Sequence, residues 1–164
     1  MPVVGYFTAE IGLWSELHTY SGGLGVLAGD HVKSAADAGI PLVGVTLLYH
    51  QGYARQHIDS NGIQTETFPE FDPSNHLTKT DMTITLALDG QSLSAHVWKA
   101  DIVGQSGHVV PVYFIDTRHE SNISEHQTLS SRLYGGDDEM RIRQEYVLGG
   151  GGVQLFDHLG VEMQ

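Results

Sequence analysis

Tyr20-Ser21-Gly22-Gly23-Leu24-Gly25-Val26-Leu27-Ala28-Gly29-Asp30 is the stretch on which the fold turns. A short apolar run, Val3 to Thr8, precedes it, and a helix-like run, Leu24 to Ala38, follows. Gly22, Gly23 and Gly25 free the backbone to take positive φ and remove the Cβ atoms that would hold a ligand off the main chain. Amides opening the next helix then point outward with the positive end of the helix dipole, a setting for an anionic or strongly polar ligand. A tight strand-to-helix turn that binds nothing accounts for the same glycines equally well.

Outward from the turn, Val3 to Thr8 reads as a buried strand. Leu24, Ala28, Val32 and Ala35 fall on one face of a 3.6-residue period and predict a helix with that face inward. Gly39 stands at the C′ position and Pro41 stops continuation. Pro41 to Tyr49 predicts a second buried strand, and strand, helix and strand together make a βαβ unit with parallel strands. The middle of the chain changes character. Ser60-Asn61-Gly62 is a hairpin signal within Gly52 to Thr67, and Asp72 to Thr80 reads as a polar loop. Met82, Ile84, Leu86 and Leu88 alternate with smaller or polar residues, and Asp89-Gly90 is the strongest two-residue hairpin turn in the chain. Leu93 to Val103 and Val109 to Ile115 complete a predicted antiparallel meander. A last helix opens with Asp137 or Asp138 as cap and Glu139 in its acidic first turn. It must cross Gly149 to Gly152, at about 1 kcal/mol per glycine relative to alanine. One continuous helix is expected, its glycines permitting close packing on the sheet, because apolar residues resume at Val153, Leu155, Phe156 and Leu159.

A chain of 164 residues with 40% hydrophobic content can build a core of its own. A formal net charge of -12, with the eight basic residues scattered, argues against nucleic acid or an anionic membrane as partner. No cysteine is present, which excludes disulfides and thiolate metal sites. Residues 1–32 carry no Lys or Arg, so a signal-peptide n-region is missing, and no apolar run nears the ~20 residues a membrane span needs. The expectation is a cytoplasmic protein.

Candidate chemistry is sparse. The ten histidines form no HExxH, and His50 and His57 stand apart in a strand or turn, so no metal site is expected. Asp137-Asp138-Glu139 is explained by a helix start without Mg²⁺. Glu10 with Glu16 or Asp30 offers paired carboxylates whose geometry the sequence does not give. Glu10 reads as a structural hydrogen-bonding residue, and Ser21 lacks the elbow motif of a nucleophile.

Tyr6-Phe-Thr-Ala-Glu-Ile-Gly12, Tyr20 to Gly39, Pro41-Leu-Val-Gly-Val45 and Leu48-Tyr-His-Gln-Gly-Tyr53 resemble the α-glucan phosphorylase family. So does Arg132-Leu-Tyr-Gly-Gly-Asp-Asp-Glu-Met-Arg-Ile-Arg-Gln-Glu-Tyr-Val147, in the same order. The family includes the glycogen, starch and maltodextrin phosphorylases, and the likeness is nearest to its shorter bacterial form. The resemblance implies an incomplete Rossmann-like (GT-B type) α/β fold carrying an inserted antiparallel β section. Residues 1–164 would be a partial N-terminal domain: 1–50 the βαβ unit with the glycine loop, 51–130 the β-rich insertion, 131–164 a helical segment. It implies a glycosyltransferase that cleaves terminal α-1,4-glucosidic bonds of glycogen or maltodextrin with orthophosphate, releasing glucose 1-phosphate. Gly22, Gly23, Leu24 and Gly25 match the family's substrate- and phosphate-binding loop, and Gly22 and Gly23 its contact to pyridoxal 5′-phosphate. The lysine that anchors the cofactor lies in a C-terminal half this chain does not contain. The chain therefore reads as a fragment, inactive alone, and the resemblance implies a full-length enzyme that is homo-oligomeric. Two positions depart from the family: Val26 stands where many relatives carry a basic residue, and Gly12 where longer relatives carry an aromatic.

One rival is a sugar-nucleotide-dependent glycogen or starch synthase-like enzyme, whose related loop reads Lys-x-Gly-Gly-Leu-Gly. Tyr20 occupies the place of the diphosphate-pairing lysine, which counts against it. The other rival is a non-catalytic glucan-binding fragment. A parallel sheet cut short predicts missing cover over Val43, Val45 and Leu47 and over the apolar face of the 138–159 helix, hence marginal stability and association.

Overall fold

The computed structural model describes residues 2–161. Strand β1 (Val4–Phe7) leads through the glycine turn into helix α1 (Gly23–Asp37) and strand β2 (Leu42–Leu47), and β1 and β2 pair in parallel. A small hairpin of β3 (Arg55–Ile58) and β4 (Gln64–Thr67) forms its own two-stranded sheet around the Asn61-Gly62 turn. Strands β5 (Thr78–Leu88), β6 (Gln91–Val103) and β7 (Val109–Asp116) make the predicted meander, with Asp89-Gly90 turning β5 into β6. Helix α2 (Ser124–Gln127) is a single turn the sequence did not announce, and helix α3 (Asp138–Leu159) closes the described chain.

The meander is not set apart from the βαβ unit. Strand β7 pairs in parallel with β2, giving one mixed sheet in the order β1-β2-β7-β6-β5. Two apolar layers cover it. On one face, Leu42, Ala100, Val110, Val112 and Phe114 pack with Ala28, Val32, Ala35 and Ala36 of α1 and with Ile11 and Leu17 of the preceding loop. On the other, Val43, Val45, Leu47, Ile84, Leu86, Val97 and Ile115 pack with Val147, Leu155 and Phe156 of α3. The strict alternation along β2 divides its side chains between the two layers.

Three expectations need correction. Val43, Val45 and Leu47 are buried, because β2 is an interior strand and α3 lies over it. The edge strand of the parallel half is β1, where Val4 is exposed. Leu24 is 55% exposed and not on the inward face of α1, which consists of Gly25, Ala28, Gly29, Val32, Ala35 and Ala36. Val153 is exposed, so only Leu155, Phe156 and, partly, Leu159 continue the buried face of α3.

Helix α3 runs unbroken through its four glycines. A Cβ on Gly152 would lie 2.1 Å from the Phe7 ring, and one on Gly151 3.0 Å from Ile115, so these two glycines let the helix settle onto the sheet. A Cβ on Gly149 would meet nothing within 4 Å, so close packing does not account for that glycine. The side chain of Asp137 accepts from the Met140 amide, and Gly160 ends the helix at φ +63°. Among the described residues no helix is long and apolar enough to cross a membrane.

Candidate functional site

The glycine turn lies between the C-terminal end of β1 and the start of α1, the side of a parallel sheet where α/β folds place ligands. Gly22 is the N-cap of α1, and no side chain caps the helix. The first turn holds no acidic residue, and the Val26 amide makes the opening bond, to the Gly22 carbonyl at 3.2 Å. In α3, by contrast, Asp137 accepts from the Met140 amide, and Asp138 and Glu139 place negative charge in the first turn. An α1 start left open by its own sequence keeps its positive end available to an outside acceptor.

The four glycine-loop residues divide by geometry. Gly22 and Gly23 are exposed, and a Cβ on either would meet nothing within 4 Å. Leu24 is exposed and lines a cavity of about 210 Å³ with Ala9, Tyr49, Tyr134, Arg141 and Glu145. Gly25 faces inward, where a Cβ would stand 2.3 Å from Tyr20 Cβ and 3.0 Å from Glu10 Oε2. Its carbonyl accepts from the Gly12 amide at 2.8 Å, and one turn on, a Cβ at Gly29 would fall 2.0 Å from the Gly12 carbonyl oxygen. Gly12, Gly25 and Gly29 thus form a seam where the 9–13 loop crosses α1. Tyr20 fills the space beside it.

Glu10 holds the loop from behind. It is buried; Oε2 accepts from the Ser21 amide at 2.7 Å and the Ser21 hydroxyl at 3.3 Å, and Oε1 from the Tyr134 hydroxyl at 2.8 Å. Burial, then the bond and charge of Glu10, push the Tyr134 hydroxyl up to about 12, with Arg141 opposing, so it stays a donor. Tyr134 sits at φ +56°, a left-handed conformation unusual for a tyrosine. Burial raises the Tyr49 hydroxyl on the same wall. Glu16 and Asp30 lie on the surface, so Glu10 has no carboxylate partner among them.

A second polar centre lies beyond the ends of β2 and β7. The buried Asp116 carboxylate takes His50 Nε2 at 2.8 Å, the Arg118 amide at 2.9 Å, Trp98 Nε1–H at 3.1 Å and the Ser130 hydroxyl at 3.3 Å. Burial would raise this carboxyl, but the His50 bond and charge, the Arg118 amide and the Trp98 indole together hold it below its ordinary range. His57 is elsewhere, its Nε2 3.1 Å from Thr67 Oγ1 in the small hairpin, so His50 and His57 do not converge. The sequence does not signal Tyr134 or Asp116 as partners, because each meets its contact across a wide gap in the chain: Glu10 with Tyr134, His50 with Asp116.

Fold and loop together define an α/β chain whose glycine-rich helix start faces the carboxyl ends of its parallel strands. The particular family comes from the comparisons. The chain is 42% identical over 159 residues to a glycogen phosphorylase of Mycobacterium tuberculosis, covering 92% of this chain and 18% of the relative. It is 38% identical over 168 residues to a maltodextrin phosphorylase of Thermococcus litoralis, covering 98% and 20%, respectively. A glycogen phosphorylase of Aquifex aeolicus is 36% identical over 167 residues, covering 98% and 23%. No family model matches the chain. The chain is therefore homologous, along nearly its whole length, to one stretch of the α-glucan phosphorylases, and it spans about a fifth of the length of the curated relatives it matches.

Proposed function

We propose that this chain is the front part of the N-terminal domain of an α-glucan phosphorylase of the GT-B type, in which it walls the catalytic cleft and presents the 22–25 loop to phosphate. The reaction is phosphorolysis of a terminal α-1,4-glucosidic bond of glycogen or maltodextrin, yielding glucose 1-phosphate. The observation that carries this reading is identity of 36–42% over nearly the entire chain to proteins named glycogen or maltodextrin phosphorylase. In this reading the protein is a cytoplasmic enzyme, and its three sections (1–50, 51–130 and 131–164) belong to one partial domain.

The residues present fit a phosphate group at the loop. The α1 start is uncapped, and Gly22 and Gly23 leave open the space a Cβ would fill. Pyridoxal phosphate, held mainly by the rest of the enzyme, supplies a phosphate that gives and takes a proton. This chain's share is binding and orientation. Amides of Gly23 and Leu24 offer preorganised N–H dipoles to a phosphate oxygen, and Leu24 sets an apolar wall against the glucosyl unit. Glu10 and Tyr134 hold the loop so that those dipoles do not reorganise during reaction.

A synthase-like reading finds no support at Tyr20, whose side chain packs beside Gly12 and Gly25 where a diphosphate-pairing lysine would have to reach outward. The 164-residue chain alone should show no pyridoxal absorbance and no glucose 1-phosphate release. A full-length protein carrying it should catalyse phosphorolysis of maltodextrin. There, Gly23→Val should lower kcat/KM for phosphate by about 30- to 1000-fold, the loss of roughly one oxyanion-type donor. Absence of phosphorolysis by the full-length protein overturns the reading. Unchanged phosphate dependence in the folded variant shows the loop to be only a turn.

A further inference from the structure

His96, His119 and Glu120 lie apart from the glycine loop. Each offers a ligand atom, and the three atoms are all within 4.8 Å of one another. His96 projects from β6, and its register partner on β7 is Asp116, which brings His119, just past the end of β7, alongside it. The two imidazoles are 4.3 Å apart between ring centroids. His96 Nε2 and Glu120 Oε2 are 3.3 Å apart. Two ligands at zinc's usual bond lengths and a tetrahedral angle are separated by about 3.4 Å. That edge of a coordination tetrahedron is already formed.

We propose that His96, His119 and Glu120 form a binding site for a zinc-class divalent cation that pins the loop after β7 to strand β6. Two imidazoles and one carboxylate are the donor set zinc takes in open three-ligand sites, with water at the fourth position. The histidine side chains are only 16% and 15% exposed, whereas that of Glu120 is 81% exposed, so the site opens to solvent on the carboxylate side. His119 Nδ1, 3.8 Å from Glu120 Oε2, accepts from the Ser121 amide at 3.2 Å and lies 2.9 Å from Ser121 Oγ, contacts that a cation bound at that nitrogen would displace. Burial, followed by Lys79 and His119, lowers the pKa of His96 against the pull of Asp116 and Glu120. The spacing 96, 119, 120 follows no metal motif, and only the β6–β7 register brings the residues together.

The test is calorimetric titration of Zn²⁺ into untagged, chelator-treated 164-residue chain, with Co²⁺ as a spectroscopic probe. One equivalent of Zn²⁺ should bind, and Co²⁺ should give the visible bands of a low-coordinate ion. H96Q, H119Q and E120Q should each weaken Zn²⁺ binding by about tenfold or more, while H57Q, on the separate hairpin, should leave it unchanged. E120Q alters an exposed side chain, so its result stands even if a histidine variant misfolds. No saturable Zn²⁺ binding overturns the proposal. So does binding that E120Q leaves intact.

Discussion

At the scale of single residues, Gly23 and Gly25 look alike in sequence and differ in what surrounds them. Gly23→Ala meets open space, so its effect should fall on ligand use and not on folding. Gly25→Ala puts a Cβ 2.3 Å from Tyr20 Cβ and should destabilise the chain by about 1–3 kcal/mol, as overpacking does. Denaturant melts of both variants check this; equal midpoints would mean the seam at Gly12 yields freely. The glycine pattern was legible in the sequence, but its division into ligand-facing and seam glycines was not, since that depends on where the 9–13 loop crosses α1. Asp116 carries the pH prediction. Its folded pKa lies below its unfolded value of about 3.9. Its contribution is therefore complete above that range and is lost as pH falls through the lowered folded value. Between about pH 5 and about pH 2 the wild-type midpoint should drop further than that of Asp116→Asn. At neutral pH the variant should be weaker by on the order of 2 kcal/mol. Parallel pH profiles for the two proteins would remove Asp116 from the acid response.

At the scale of elements, helix α3 shows how packing overrides propensity. Its glycine run reads as a weak point, yet apolar residues on both sides and a cap at Asp137 keep it one helix. The run is heterogeneous. Gly152→Ala drives a methyl to within 2.1 Å of the Phe7 ring, which itself stacks on Phe156. It should cost about 1–3 kcal/mol. Gly149→Ala meets nothing and should stabilise by about 1 kcal/mol through helix propensity. Thermal melts give the comparison, and a destabilising Gly149→Ala would mean the helix bends there in solution. The elements themselves were readable because period and turn chemistry are local: Asn61-Gly62, Asp89-Gly90 and the alternation over Met82 to Leu88 each state their structure within a few residues. Leu24 and Val153 misled because at the first turn of α1 and beside the glycine run of α3 it is glycines, Gly25 and Gly151 with Gly152, that lie on the buried face.

At the scale of the whole molecule, sheet order is what the sequence withheld. Nothing local in Val109 to Asp116 says that it sits between β2 and β6, and that placement converts β2 from an edge into an interior strand. The liability therefore moves to β1. Among the described residues β1 has one neighbour, Val4 is 48% exposed, and Ile40 is 43% exposed. Both line an apolar cavity of about 380 Å³ with Ala35, Ala38 and Leu42. An unpaired strand beside apolar surface is a template for pairing with another chain. The formal net charge of -12 opposes association only through long-range repulsion, which salt screens. The 164-residue chain should accordingly associate as salt and concentration rise, and Val4→Lys, which places a charge on the edge, should return it to monomer without lowering its melting midpoint. Sedimentation velocity across a concentration series, paired with denaturant melts, decides this. A wild-type chain that stays monomeric in high salt and unfolds in one steep transition would show that the β1 edge needs no cover and that the segment completes its own core.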